Sequence, residues 1–159
     1  MAIDLSSLLS GGVILPIGSA KSRKQAILLL AEALAEKLGG ETESREIVDA
    51  VMEREQLGST GVGDGVAIPH ARLKAVKAPV GGYLRLKQGV DFDAVDERPC
   101  DIVFMLLAPL SAGADHLRAL AQVSRALRQS TVRDRLRETT TETDVCAILC
   151  PASSNASAA

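Results

Sequence analysis

The chain of 159 residues is 47% hydrophobic and 24% charged with a net charge of −2, values typical of a single soluble globular domain. Aromatic residues make up only 2%, and neither tryptophan nor a basic block occurs, which argues against stacking on single-stranded nucleic acid and against general phosphate-backbone binding. Because the apolar runs are shorter than the ~20 residues of a membrane span and the first residues lack a secretory-signal pattern, we predict a cytoplasmic protein without membrane insertion.

Two helices are predicted in the first third of the chain. Residues 21–40 contain a capping box formed by Ser22 and Gln25, and the glycine pair at the end stops the helix. The apolar stripe of this helix consists of Ile27, Leu30, Ala31, Leu34 and Leu38. A second helix is predicted over about residues 42–56, with Arg54 in its last turn.

Strands are predicted in the middle of the chain. A glycine loop leads into a short extended segment, Val66 to Ile68, because the residue before a proline favours extended backbone. Residues 101–110, DIVFMLLAPL, are apolar nearly throughout, which is typical of a central strand covered on both faces. An alternating pattern predicts a half-buried strand before it, with Val80, Gly82, Leu84 and Leu86 on one face and Tyr83, Arg85 and Lys87 on the other.

The last part of the chain predicts three more helices, over residues 113–130, 131–139 and 141–149. The small polar tail, residues 151–159, is predicted to be disordered. Helices and strands are interleaved, which indicates an α/β class with a mixed sheet between helices. Residues 1–150 are therefore predicted to form one domain.

The segment GVAIPHAR places one of the two histidines of the chain directly after a proline and behind three alternating glycines. Pro69 fixes its own φ, so the backbone that enters His70 is stiff. The glycines allow backbone N–H groups to converge, as they do where proteins hold a phosphoryl group. Imidazole is a nucleophile that is mostly neutral at neutral pH, so His70 is a candidate for covalent phosphoryl transfer. The alternatives are a structural or surface histidine and a simple tight turn.

The second histidine, His116, lies at helical spacing from Leu120, Val123 and Leu127, which predicts an inward position in the first turn of its helix. That helix begins after the central strand, at the sheet edge where α/β proteins usually place their sites. A core histidine and a hydrogen-bonding partner for His70 are both compatible with this position.

Together, LGSTGVGDGVAIPHAR and HLRALAQVSRAL resemble the active-site segments of a known family. It comprises the IIA domains of the mannitol/fructose class of the bacterial phosphoenolpyruvate-dependent sugar phosphotransferase system (PTS). Within the class, the chain is most similar to the nitrogen-related IIA proteins (EIIA-Ntr), and the similarity extends roughly from Leu5 to Leu149. The resemblance implies a mixed, mainly five-stranded sheet flanked by helices, and a PTS IIA type-2 domain over residues 1–150.

The resemblance also implies a reaction and its residues. His70 would accept a phosphoryl group through Nε2 from the phosphohistidine of a small HPr-type carrier. The second site histidine of the family falls on His116, which would donate a hydrogen bond to the phosphoryl oxygens or fix the His70 ring. The arginine of the family falls on Arg54, which would add fixed positive charge. Further candidate phosphate ligands are the backbone N–H groups near Gly63 and Gly65 and the side chain of Arg72, for which a solvent-exposed charge is the alternative.

No metal or cofactor is predicted, because a phosphohistidine donor is already activated. The cysteines agree, since Cys100 stands alone and the spacing of Cys146 and Cys150 is not that of a redox or zinc motif. Predicted partners of a nitrogen-type regulator are regulatory proteins such as a sensor kinase or a potassium transporter.

The alternatives to this function are a sugar-specific IIA protein, a protein-binding module and a hydrolase. A sugar-specific IIA protein would pass its phosphoryl group to a IIB domain. A protein-binding module would sense partners without being phosphorylated. A hydrolase would need a Ser or Cys nucleophile motif, which the sequence does not contain.

Overall fold

The computed structural model describes residues 5–40 and 42–150, so the predicted disordered tail lies outside the described residues. The described chain forms a six-stranded mixed sheet with helices on both faces. The predicted α/β class with a mixed sheet between helices is confirmed. The strands are β1 (Val13–Gly18), β2 (Gly61–Gly63), β3 (Val66–Ala67), β4 (His70–Leu73), β5 (Val80–Val90) and β6 (Cys100–Pro109). The helices are α1 (Leu5–Ser10), α2 (Arg23–Lys37), α3 (Ser44–Leu57), α4 (Ala114–Arg128), α5 (Ser130–Glu138) and α6 (Glu142–Leu149).

The strand order is β1-β5-β6-β3-β2, and β4 also pairs with β6. Both β3 and β4 run parallel to β6, with Ala67 opposite Val103 and His70 opposite Leu106. They therefore share one position in the sheet and are separated by Ile68 and Pro69. Proline has no N–H to donate to a ladder, which explains the interruption at this point.

The central strand β6 is buried from Ile102 to Ala108, as its continuous apolar sequence predicts. One core lies between the sheet and α2 and α3, and it contains Ile27, Leu30, Val51, Leu84 and Met105. The other lies between the sheet and the helices α1, α4, α5 and α6, and it contains Leu8, Tyr83, Phe104, Val123 and Leu136. Each sheet face is thus covered by its own helical layer.

One sequence prediction about β5 is wrong. Its alternation placed Tyr83 on a solvent face, yet Tyr83 is 0% exposed. The reason is the second helical layer, which covers that face over the middle of the strand. Only towards the end of β5 does the alternation separate core from solvent, where Leu86 is buried and Lys87 is exposed.

Two further elements, α1 and β1, were not predicted from the sequence. β1 is an edge strand that pairs in parallel with β5, and its Pro16 is tolerated because an edge strand has one unpaired side. Gly12, between the two elements, has a strict packing requirement: a Cβ atom there would lie 1.7 Å from the carbonyl oxygen of Gly81. That close backbone approach brings α1 onto the sheet.

The helix termini follow their predicted signals. The Ser22 side chain caps α2 by accepting a hydrogen bond from the Gln25 N–H at 3.2 Å. Gly39 and Gly40 after the helix have φ values of +81° and +84°, which glycine adopts readily. Helix α3 begins and ends within two residues of its predicted bounds, and the three predicted C-terminal helices are present.

Candidate functional site

His70 lines a surface cavity of about 650 Å³ at the carboxyl end of β6. Its walls are formed by the last turns of α3, strand β4, the connection between β6 and α4, and the first turns of α4. The cavity brings together four of the side chains that the sequence analysis singled out, namely Arg54, His70, Arg72 and His116. They come from three separate elements, so this cluster exists only in the folded chain.

The ring of His70 is oriented by the backbone of its own segment. Its Nδ1 lies 2.8 Å from the carbonyl oxygen of Ile68. A carbonyl oxygen only accepts hydrogen bonds, so Nδ1 carries the proton and the neutral ring has its lone pair on Nε2. Nε2 is therefore the ring nitrogen whose lone pair is available.

His116 lies in the first turn of α4 with 8% of its surface exposed, as its helical stripe predicts. Its ring centroid is 5.5 Å from that of His70, with an angle of 54° between the ring planes. Within the described part of the chain, its buried Nδ1 has no hydrogen-bond partner. One ring nitrogen of His116 is thus not used to hold the side chain in the fold.

Both histidines are held in the neutral form at neutral pH. Burial lowers the pKa of His70 below 6.5, the Arg54 charge lowers it further, and the Ile68 carbonyl and the Glu55 charge oppose this change. The pKa of His116 is also lowered, by burial first and then by the charges of His70 and Arg72. Neutral imidazole is the form that attacks phosphorus, so this environment favours a nucleophilic His70.

The two arginines are tied to the cavity wall by backbone carbonyls. Arg54 Nη1 donates to the Gly58 carbonyl at 2.9 Å, across the C-terminus of α3. Arg72 Nη1 donates to the Ala112 carbonyl at 3.4 Å, and the residue is otherwise exposed. Arg54 therefore places a cationic group close enough to His70 to change its pKa, and Arg72 lies at the outer rim.

Gly63 and Gly65, whose N–H groups were predicted as phosphate ligands, do not line this cavity. Gly63 ends β2, and Asp64 and Gly65 form the two-residue turn to β3, with φ values of 58° and 81°. Two positive φ values are the signature of a type I′ hairpin, for which the Asp-Gly pair was an available sequence signal. The hairpin faces α5, whose Arg137 donates to the Asp64 carbonyl at 2.7 Å and makes a bidentate contact with Asp101.

Comparison with known proteins identifies the family of the chain. Residues 7–150 match the family model described as "Phosphoenolpyruvate-dependent sugar phosphotransferase system, EIIA 2". The chain belongs to this family. A "Nitrogen regulatory protein" of Bradyrhizobium diazoefficiens is 43% identical over 135 residues, which cover 85% of this chain and 87% of that protein.

Solved EIIA structures agree with the sequence match. The crystal structure of nitrogen regulatory protein IIA-Ntr from Neisseria meningitidis aligns with a TM-score of 0.83 and 31% identity, covering 91% of this chain and 98% of that one. The crystal structure of IIA mannitol from Escherichia coli has the same fold, with a TM-score of 0.72 and 24% identity over 89% of this chain and 97% of that one. The predicted resemblance to the mannitol/fructose class and its nitrogen-related members is confirmed.

Two features at or behind this cavity were not predicted from the sequence. The first is an apolar rim of exposed leucines, Leu57, Leu110 and Leu117, at 82%, 57% and 67% exposure. The second is Glu55, a charged residue directly after Arg54 that is nevertheless buried. A signal for Glu55 was present, because it continues the inward stripe of Ile47 and Val51 at spacings of eight and four.

No group of three or more His, Cys, Asp or Glu side chains in residues 5–40 and 42–150 is arranged to hold a metal ion. Over the same residues, none of the helices has the length and apolar character needed to cross a membrane. Cys100 is buried in the core, and burial raises the pKa of its thiol to about 12, so it remains protonated.

The lowered histidine pKa values predict a pH dependence of stability. Between the folded-state pKa values and the unfolded value of 6.5, the unfolded chain binds more protons than the folded protein. The free energy of unfolding should therefore fall as the pH drops through about 6.5. Urea denaturation between about pH 5 and pH 7.5 measures this slope. The double variant His70→Gln/His116→Gln should flatten it, and an equal slope in that variant would contradict the assignment to these two rings.

Proposed function

We propose that the protein is a phosphoryl carrier and regulator of a nitrogen-type PTS. In this proposal, His70 accepts a phosphoryl group on Nε2 from the phosphohistidine of a small HPr-like carrier. The observation that carries the proposal is the hydrogen bond from His70 Nδ1 to the Ile68 carbonyl, which leaves the Nε2 lone pair available next to a second histidine and an arginine.

The transfer is an exchange of one P–N bond for another. The Nε2 lone pair of His70 forms the new bond to phosphorus while the bond from phosphorus to the donor imidazole breaks. The electron pair of the broken bond stays on the donor nitrogen, and the proton on Nδ1 of His70 stays in place. Because the donor is already activated, the acceptor site needs to position the groups and stabilise charge.

Arg54 and His116 are proposed to stabilise the charge of the phosphoryl oxygens. Arg54 is a permanent cation whose charge already reaches His70, as its effect on the pKa of that ring indicates. The neutral His116 ring, 5.5 Å from His70 between centroids, supplies an N–H donor on the other side of the cavity. Hydrogen bonds fixed before the reaction are most effective because they need no reorganisation during transfer.

The leucine rim supports a protein as the donor. Leu57, Leu110 and Leu117 expose apolar surface around the cavity mouth, where a carrier protein must approach to bring its own histidine to His70. Exposed apolar residues grouped around a site are typical of a protein-binding surface. We propose that they contact an apolar patch around the donor histidine of the carrier.

The regulatory part of the proposal is supported by relatives named nitrogen regulatory proteins. Phosphorylation at His70 would place a phosphoryl group with a charge of about −2 on this face. Target proteins that dock here, such as a sensor kinase or a potassium transporter, would then distinguish the two forms.

The proposal is tested by phosphotransfer measured as intact mass. The protein is incubated with phosphoenolpyruvate, a nitrogen-branch Enzyme I and its HPr-like carrier. The expected result is a gain of one acid-labile phosphoryl group that maps to the peptide containing His70. No gain, with carriers that phosphorylate a control IIA protein, would contradict the proposal. Rapid onward transfer to an added fructose-type IIB domain would instead support a sugar-specific IIA protein.

A further inference from the structure

We propose that Glu55 is a positioning residue for His70 and acts through Thr60 and Ile68. This inference rests on the proposed function, because it concerns which nitrogen of His70 is available for the phosphoryl group. It adds a buried carboxylate that touches neither the cavity nor a reacting atom, and a hydrogen-bonded path from that carboxylate to the nucleophilic ring.

The path begins with the carboxylate itself. Glu55 lies on the inward face of α3, and its side chain is 0% exposed. Its Oε2 accepts a hydrogen bond from the Thr60 hydroxyl, and its Oε1 accepts a longer one from the Thr60 backbone N–H at 3.4 Å. Arg23 Nη1 lies 3.6 Å from Oε1. Burial of a carboxylate costs free energy unless hydrogen bonds and ion pairs compensate it. Separation of Thr60 from Glu55 would remove part of that compensation, so the contact restrains the position of Thr60.

Thr60 and Ile68 pass this constraint to the ring. The Thr60 carbonyl accepts a hydrogen bond from the Ile68 N–H at 3.0 Å. The Ile68 carbonyl in turn accepts the hydrogen bond from His70 Nδ1 at 2.8 Å. Two hydrogen-bonded residues therefore connect the carboxylate on α3 to the imidazole on β4.

Pro69 makes the direction of the Ile68 carbonyl decisive. The pyrrolidine ring fixes the φ angle of Pro69 itself. The Pro69 carbonyl accepts a hydrogen bond from the Leu106 N–H at 3.0 Å. Because Pro69 is held in place, the position of Ile68 relative to Thr60 determines whether the Ile68 carbonyl reaches Nδ1 of His70. Loss of the Glu55–Thr60 contact should release this carbonyl and allow the proton to move to Nε2, which removes the nucleophilic lone pair.

A merely structural role is the competing explanation. Arg23 also lies 3.7 Å from Asp93, so Glu55 helps to join α2, α3 and the segment before β6. A structural role predicts lower stability with an unchanged His70 ring in the molecules that remain folded. A positioning role predicts a changed tautomer. Nitrogen-15 NMR of the His70 ring distinguishes the two, because it reports which nitrogen carries the proton.

The test uses the full chain with Thr60→Val, which removes the hydroxyl and retains the shape and the backbone N–H, alongside Glu55→Gln. In the wild type, we expect His70 to be protonated mainly on Nδ1. In Thr60→Val, we expect a shift towards the Nε2-protonated form and roughly ten-fold slower phosphoryl acceptance per folded molecule. Thr60→Ser should restore both. Thr141→Val is the control, since it removes a different threonine hydroxyl, which accepts a hydrogen bond from the Asp144 N–H at the start of α6.

A wild-type tautomer and rate in folded Thr60→Val and Glu55→Gln would overturn the proposal, as would an equal change in Thr141→Val. The NMR measurement separates this inference from the proposed function. If the wild type accepts no phosphoryl group, the proposed function fails, while a tautomer shift in Thr60→Val still supports positioning by Glu55. If phosphorylation occurs and the tautomer is unaffected, only the positioning role is lost.

Discussion

Replacement of His70 by alanine is expected to abolish phosphoryl acceptance, with no mass gain under conditions that phosphorylate the wild type completely. The reason is that His70 supplies the only atom proposed to bond phosphorus, so its removal deletes the reaction instead of slowing it. The measurement is intact mass after incubation with the donor system. The fold should persist, because His70 is partly exposed and lies outside both hydrophobic cores.

His116→Ala is the matched control for this experiment, since His116 is the second histidine of the chain and lies in the same cavity. It should retain phosphorylation at a reduced rate, because it removes one hydrogen-bond donor and leaves the nucleophile intact. Acid-labile phosphorylation of His70→Ala would contradict the assignment of the acceptor. Complete loss of phosphorylation in His116→Ala, with normal phosphorylation of His70→Ala, would make His116 the acceptor in place of His70.

Replacement of Arg54 by alanine is expected to slow phosphoryl acceptance by roughly 10²- to 10³-fold while His70 remains able to react. The guanidinium is the cation that the structure places near His70, and its loss leaves the phosphoryl oxygens with fewer fixed donors. A single-turnover measurement with phosphorylated carrier gives the rate. Because the Arg54 charge lowers the pKa of His70, the same variant should raise that pKa in an NMR titration.

Arg45→Ala provides the control for Arg54, since Arg45 lies on the same helix α3 and is exposed. It changes the net charge equally and should leave both the transfer rate and the pKa of His70 unchanged. Arg54→Lys should recover part of the rate, because lysine keeps the charge and loses the planar donor pair. Equal rates for the wild type and Arg54→Ala would show that Arg54 is not part of the transfer site.

The sequence by itself determined the features that depend on neighbours within a few residues. The Ser22 cap with its apolar stripe defines α2, and the long apolar run defines β6. The Pro69-His70 pair and the glycine segment also identified the candidate nucleophile, and through it the family. Periodicity, capping and short motifs are local, so they can be read without knowing which distant residues meet.

The exposure of each strand face depended on the tertiary structure. Tyr83 alternates with apolar residues just as a solvent-facing residue would, and only the packing of a second helical layer buries it. The direction of the glycine hairpin was also undetermined, because Arg137 and Asp101, far apart in sequence, hold it against α5 and away from His70.

The site likewise combines features that the sequence determined with features that only the tertiary structure determined. Spacing placed His116 on an inward helical face, but its 5.5 Å approach to His70 results from the pairing of β4 with β6 and the turn into α4. The buried contact of Glu55 with Thr60, and the path from Thr60 through Ile68 to Nδ1 of His70, join residues of three segments. The sequence identified His70 as the candidate nucleophile because its motif is local, whereas the long-range contacts that orient its ring form only when the chain has folded.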